Sequence, residues 1–170
     1  MNSNFQASLD LLLKSEGGFV NHPKDPGGMT NLGMTRGAYE SYLGRSVTEQ
    51  EMRSLTKADV APVYKKNYWD AVHGDELPVG IDYLLFDFAA NAGAYQAVKT
   101  AQKALGITAD GAIGPVTLKA LGNVNADEFI DKFSEAKKNF YQSLDTFTAF
   151  GQGWLNRIAL VKDAAEGMLV

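Results

Sequence analysis

Apolar positions along this chain recur mostly at helical spacing. Phe5, Leu9, Leu12 and Leu13 mark one face of a first helix, predicted over about 3 to 16, and Gly17-Gly18 ends the pattern. Residues 17–34, GGFVNHPKDPGGMTNLGM, contain five glycines and two prolines that break every apolar run, which predicts an ordered loop or small hairpin. Short helices with readable starts follow. Thr35 precedes Ala38, Tyr39, Tyr42 and Leu43; Thr48 with Glu51 precedes Met52 and Leu55; Thr56 with Asp59 opens a run that continues through Tyr64 to Trp69. Pro62 fits that run only near its first turn or at a kink. The stretch 78–93 is almost continuously apolar, IDYLLFDFAANAG, as expected of a central helix enclosed on most sides. Further helices are predicted over 95–105 and 116–121. Another starts at a cap formed by Asn125 and Glu128 and carries Phe129, Phe133, Ala136, Phe140 and Leu144; the last carries Trp154, Leu155, Ile158, Val161 and Ala165. The pattern predicts a mainly α fold in one compact body, without a long linker or repeat.

Composition narrows the chemistry. A chain of 170 residues is one domain in size and buries roughly 70% of its unfolded surface. With no cysteine, disulfides and thiolate metal sites are excluded. His22 and His73 form no His-x-x-x-His pair, so metal-independent chemistry with no cofactor is the expectation. A net charge of -4, with no basic run longer than Lys65-Lys66 or Lys137-Lys138, argues against a nucleic-acid partner. No stretch approaches a membrane span, so stable membrane insertion is not expected. The opening MNSNFQASLDLLLKSEGG has neither a basic leader nor a long apolar run. The expectation is therefore synthesis in the cytoplasm without a signal peptide. Nothing in the pattern demands more than a monomer.

The chemistry concentrates at the end of the first helix. At about 100° per residue, Glu16 projects within roughly 20° of Phe5 and between Leu9 and Leu12. A carboxylate on an apolar stripe faces the core or a cleft wall. Partial burial and a helix C-terminus both favour a neutral carboxyl, the form that a general acid needs. The plain structural reading is a carboxylate that turns out to solvent or pairs with a lysine such as Lys14. Asp25 lies nine residues on, followed by Pro-Gly-Gly and then Thr30 and Asn31. Such a loop can set a second carboxylate and a hydroxyl across a groove from Glu16. Two carboxyls, one protonated and one ionised with water between, are the apparatus of inverting glycoside hydrolysis. Taken singly, Asp-Pro-Gly-Gly is turn chemistry, and Thr30 and Asn31 cap or bridge backbone.

These residues resemble a known family. Ser15-Glu16-Gly17-Gly18-Phe19-Val20-Asn21 and Asp25-Pro26-Gly27-Gly28-Met29-Thr30-Asn31-Leu32-Gly33-Met34-Thr35 closely resemble the opening of glycoside hydrolase family 108, N-acetylmuramidases of phage endolysins and bacterial genomes. The likeness continues through Tyr68-Trp69, Leu85 to Gly93, and Leu105-Gly106 with Asp110-Gly111-Ala112-Ile113-Gly114-Pro115. That last stretch is similar to the peptidoglycan-binding segment that follows this catalytic region, and Gly153-Trp154-Leu155-Asn156-Arg157-Ile158 matches its closing helix. The resemblance implies a lysozyme-like α+β fold with the Gly/Pro-rich segment as catalytic loop, a catalytic region over 5–93 and a peptidoglycan-binding-like helical region over 94–168. It implies cleavage of the β-1,4 bond between N-acetylmuramic acid and N-acetylglucosamine in peptidoglycan strands. Glu16 would be the proton donor, Asp25 the residue that holds or activates water, and Thr30 the residue that positions it. An enzyme of this kind reaches the wall through a separate holin or secretion system.

Other polar residues carry two readings each. Asp87 and Asn91, four apart on the central helix, share one face. With Asn31 they are candidate substrate-binding residues on a cleft floor; the structural alternative ties the helix to its neighbours. Tyr39, Tyr42, Tyr68 and Trp69 could stack on sugars, but aromatics at helical spacing are more often core. Asp110, the lone carboxylate between Gly106 and Pro115, reads as a tight turn and not a cation loop. His22 is given no role. Because peptidoglycan is often anionic, Lys24 and Arg36 are expected to make the cleft rim neutral or basic. Two other classes remain open on sequence: a lytic transglycosylase or chitinase-like glycosidase on the same scaffold, and a non-catalytic wall-binding module. Asp25 discriminates the first, since a transglycosylase works with one glutamate. Release of soluble muropeptides discriminates the second.

Overall fold

The structure, a computed structural model, describes residues 4–21, 28–145 and 147–169. Packing divides the chain into two units, Gln6–Asn67 and Met1–Phe5 with Tyr68–Val170.

In the first unit, helix α1 (Phe5–Ser15) turns its predicted stripe inward, and Leu9 and Leu12 are fully buried. The segment read as a loop or small hairpin contains a three-stranded antiparallel sheet of β1 (Val20–Asn21), β2 (Met29–Asn31) and β3 (Met34–Thr35). In its register, Thr30 lies opposite Val20 on one side and Thr35 on the other, and Asn31 lies opposite Met34.

Helices α2 (Arg36–Leu43), α3 (Glu49–Arg53) and α4 (Lys57–Tyr64) start at the three predicted threonines. Each Thr hydroxyl accepts an early helix N–H, from Ala38, Glu51 and Asp59. Glu51 and Asp59 accept the cap N–H in return, at 2.7 and 2.9 Å. Each such cap is worth about 1 kcal/mol. Pro62 lies inside α4, past its first turn, and cannot donate to the carbonyl of Ala58. The helix then widens into a π-helical turn, Lys65–Trp69.

The second unit is built on α5 (Ile81–Ala92), in which every residue from Ile81 to Ala89 is buried. It packs against α6 (Ala94–Leu105), α8 (Ala126–Gln142) and α9 (Phe147–Gly167), with α7 (Pro115–Asn123) packed on α6. Phe5, Trp69 and Phe86 meet edge to face at 5.4–5.7 Å. Trp69 is thus a core residue, and its Nε1 donates to Asp75 at 2.9 Å. A Gln102 amide donates to Asp110, Ala112 and Thr117 and accepts from the Gly111 N–H, closing the Asp110 turn.

Packing changes at Asn67/Tyr68, inside the 5–93 region. Burying nine consecutive residues of α5 takes neighbours on all sides, and the helices that follow it supply them.

Candidate active site

Glu16 stands immediately beyond α1, half-buried, and its N–H donates to the Leu13 carbonyl at 3.2 Å. Its neighbour is the turn joining β2 to β3. Leu32 and Gly33, the two central residues of that turn, have φ of +52° and +74°. Two positive values between paired Asn31 and Met34 make a type I′ hairpin, whose twist matches that of the flanking strands. Glycine adopts this conformation freely. Leucine does not, at a cost on the order of 1 kcal/mol.

Two hydrogen bonds hold Leu32 there. Its N–H donates to the Gly17 carbonyl at 3.1 Å, and its carbonyl accepts from the Tyr64 hydroxyl at 2.9 Å. Gly33 then presents bare backbone to the Glu16 side chain. A β-carbon on Gly33 would lie 2.8 Å from both Cγ and Cδ of Glu16 and 2.6 Å from the Tyr64 hydroxyl oxygen.

Strand alternation separates the two polar candidates on β2. Asn31 is 6% exposed, and its amide donates to the carbonyls of Met52 (2.8 Å) and Arg53 (3.3 Å), which end α3. Its side chain therefore ties sheet to helix. Thr30, one residue earlier and half-buried, lies on the opposite face with its cross-strand neighbours Val20 and Thr35. Asp25, His22 and Lys24 lie outside the described residues. Arg36 pairs with Glu40 across one turn at 3.6 Å. Arg53 lies 4.1 Å over the Phe19 ring, pinning the chain between α1 and β1.

Asp87 and Asn91 belong to the second unit. Asp87 is 1% exposed; its carboxylate accepts from Arg157 at 2.9 Å, from Lys137 at 3.3 Å and from the Asn91 amide at 3.5 Å. Three helices are thereby joined through one carboxylate. Burial pushes the Lys137 ammonium below the usual lysine range, and the Asp87 charge opposes that shift. Burial also raises the Tyr83 phenol, and raises that of Tyr141 to about 12. Asn91 is exposed and lines a pocket of about 340 Å³ with Phe140, Tyr141, Leu144, Trp154 and Arg157.

The sequence reading missed Tyr64 beside Glu16 and both cations on Asp87. Lys137 did leave a signal, because it sits four residues from Phe133 and from Tyr141 on the buried stripe of α8. Tyr64 left none, since nothing in the chain announces that its hydroxyl reaches a turn 32 residues away.

The fold is mainly α and lysozyme-like. Residues 9–93 match the glycosyl hydrolase 108 family, and residues 96–159 match the family described as a predicted peptidoglycan domain. A solved structure, SagA of Brucella abortus, is 39% identical with a TM-score of 0.87, over 97% of this chain and 95% of that one. Comparison with curated protein sequences finds no match. The chain belongs to glycosyl hydrolase family 108 and carries the peptidoglycan domain after it. It is a peptidoglycan hydrolase that acts on the cell wall. Among the described residues no helix is long and apolar enough to cross a membrane.

Proposed function

We propose that the chain is an N-acetylmuramidase that cleaves the β-1,4 bond between N-acetylmuramic acid and N-acetylglucosamine with inversion, using Glu16 as general acid. The observation that supports this most is the setting of Glu16: a half-buried residue just past the end of a helix whose apolar stripe is buried, with its side chain against a strained hairpin turn. Strain and close packing of that kind suit a group whose direction matters.

In the proposed reaction Glu16 gives its proton to the glycosidic oxygen as the bond from that oxygen to the muramic acid C1 breaks. Positive charge spreads over C1 and the ring oxygen. Asp25, ionised, supports that charge and takes a proton from the water that attacks C1 from the opposite face, while Thr30 orients the water. Side chains and water complete the cycle, in a monomer. Asn31 and Asp87 have their carbonyl and ammonium partners inside the protein, so their part is to hold helices in place; Asn91, exposed beside the pocket, is the substrate-contact candidate of the three.

Glu16→Gln tests the acid: the variant folds and loses turnover by several orders of magnitude, and near-full turnover would defeat the assignment. Mass spectrometry of borohydride-reduced digests tests the bond. Reduced N-acetylmuramic acid ends support the proposal. Reduced glucosamine ends, anhydro ends or free peptides would replace it with a glucosaminidase, a transglycosylase or an amidase.

A further inference from the structure

Three contacts converge on the turn at Leu32 and Gly33. The Tyr64 hydroxyl donates to the Leu32 carbonyl from a side chain only 3% exposed. The Leu32 N–H is held by the carbonyl of Gly17, the residue after Glu16. The absent β-carbon of Gly33 marks a point flanked by both the Tyr64 hydroxyl and the Glu16 carboxyl carbon.

We propose that Tyr64 is a positioning residue for Glu16. Its hydroxyl fixes the Leu32 carbonyl, this fixes the left-handed pair Leu32-Gly33, and the backbone of Gly33 is the surface on which the Glu16 side chain rests. The proposal rests on the reading of Glu16 as the acid.

Each link has a physical reason. Tyr64 is the last residue of α4, a helix anchored by the Thr56 capping box and by buried Val60 and Val63, so its ring is a rigid post. Leu32 occupies a conformation that leucine leaves unless restrained. The hydroxyl is the restraint on its carbonyl side. Without it the turn relaxes, and the carboxyl loses the wall that aims it. A misplacement of about 1 Å in a reacting group can cost on the order of 100-fold in rate.

Tyr64→Phe keeps the ring and removes only the hydroxyl. On soluble peptidoglycan fragments kcat falls about tenfold or more, KM stays within about twofold, and Tm moves by only a few degrees. The same substitution made in Glu16→Gln leaves the residual rate unchanged, because Tyr64 acts through the group already removed. An unchanged kcat, a rise in KM alone, a loss that multiplies with that of Glu16→Gln, or a collapse of Tm would each overturn the proposal. Glu16→Gln measured alone separates the two readings. If it retains turnover, the acid assignment falls; if it abolishes turnover while Tyr64→Phe matches the wild type, only the positioning role falls.

Discussion

The Glu16 side chain rests on the α-carbon of Gly33, so closely that a β-carbon there would sit 2.8 Å from Cγ and Cδ. The positive φ of Gly33 adds a second demand for glycine at the same position. Gly33→Ala is therefore expected to strain the turn by about 1 kcal/mol and to push the carboxyl aside, lowering turnover by roughly 100-fold. Thermal melts and peptidoglycan-clearing rates measured together check it. A drop in Tm with undiminished clearing would show that the contact is only packing.

Asn31 gives a contrasting expectation. Asn31→Ala strips donors from two carbonyls at the end of α3 and should cost about 1–3 kcal/mol. The KM of the folded variant stays near that of the wild type. Urea denaturation beside steady-state kinetics tests both parts, and a rise in KM at full stability would return Asn31 to the substrate.

The buried carboxylate of Asp87 faces two cations, and removing it strands both. Asp87→Leu should destabilise by about 3–5 kcal/mol. Lys137→Met in that background removes one stranded charge and should recover part of the loss. A double-mutant cycle from denaturation midpoints measures the coupling, which near zero would mean that the ion pair contributes nothing.

Alkaline stability follows from Tyr141. Burial first, and the Asp87 charge second, raise its phenol to about 12, above the ordinary value of 10.0. A group whose pKa is raised on folding contributes its full stability below the unfolded value and loses it as pH rises toward the folded one. The window is about pH 10 to 12, and the contribution lost is about 2 kcal/mol. Tyr141→Phe should gain stability relative to the wild type between pH 9 and pH 11.5, as read from denaturant midpoints. A constant difference across that range would refute the shift.

Much of the fold was legible along the chain because its signals are local. Thr35, Thr48 and Thr56 cap where their spacing to Ala38, Glu51 and Asp59 says they should. The apolar run of α5 announced its burial. The site was legible only as residue types. Glu16 on the face of Leu9 and Leu12 can be read by counting at helical spacing. That Asn31 turns toward α3 while Thr30 takes the other face depends on strand register, which a one-residue slip would reverse.

What the sequence alone determined is the inventory and its local order: helices and their caps, a Gly/Pro-rich segment after α1, and a carboxylate at the end of an apolar stripe. These depend on interactions within a few residues, where backbone geometry leaves little choice. Only tertiary structure decided that Leu32 takes a left-handed conformation, that Tyr64 holds it from 32 residues away, and that Gly33 becomes the wall for Glu16. It likewise decided that packing divides the chain at Asn67/Tyr68. Contacts between residues far apart in sequence arise from the simultaneous packing of several elements, and no periodicity along the chain encodes them.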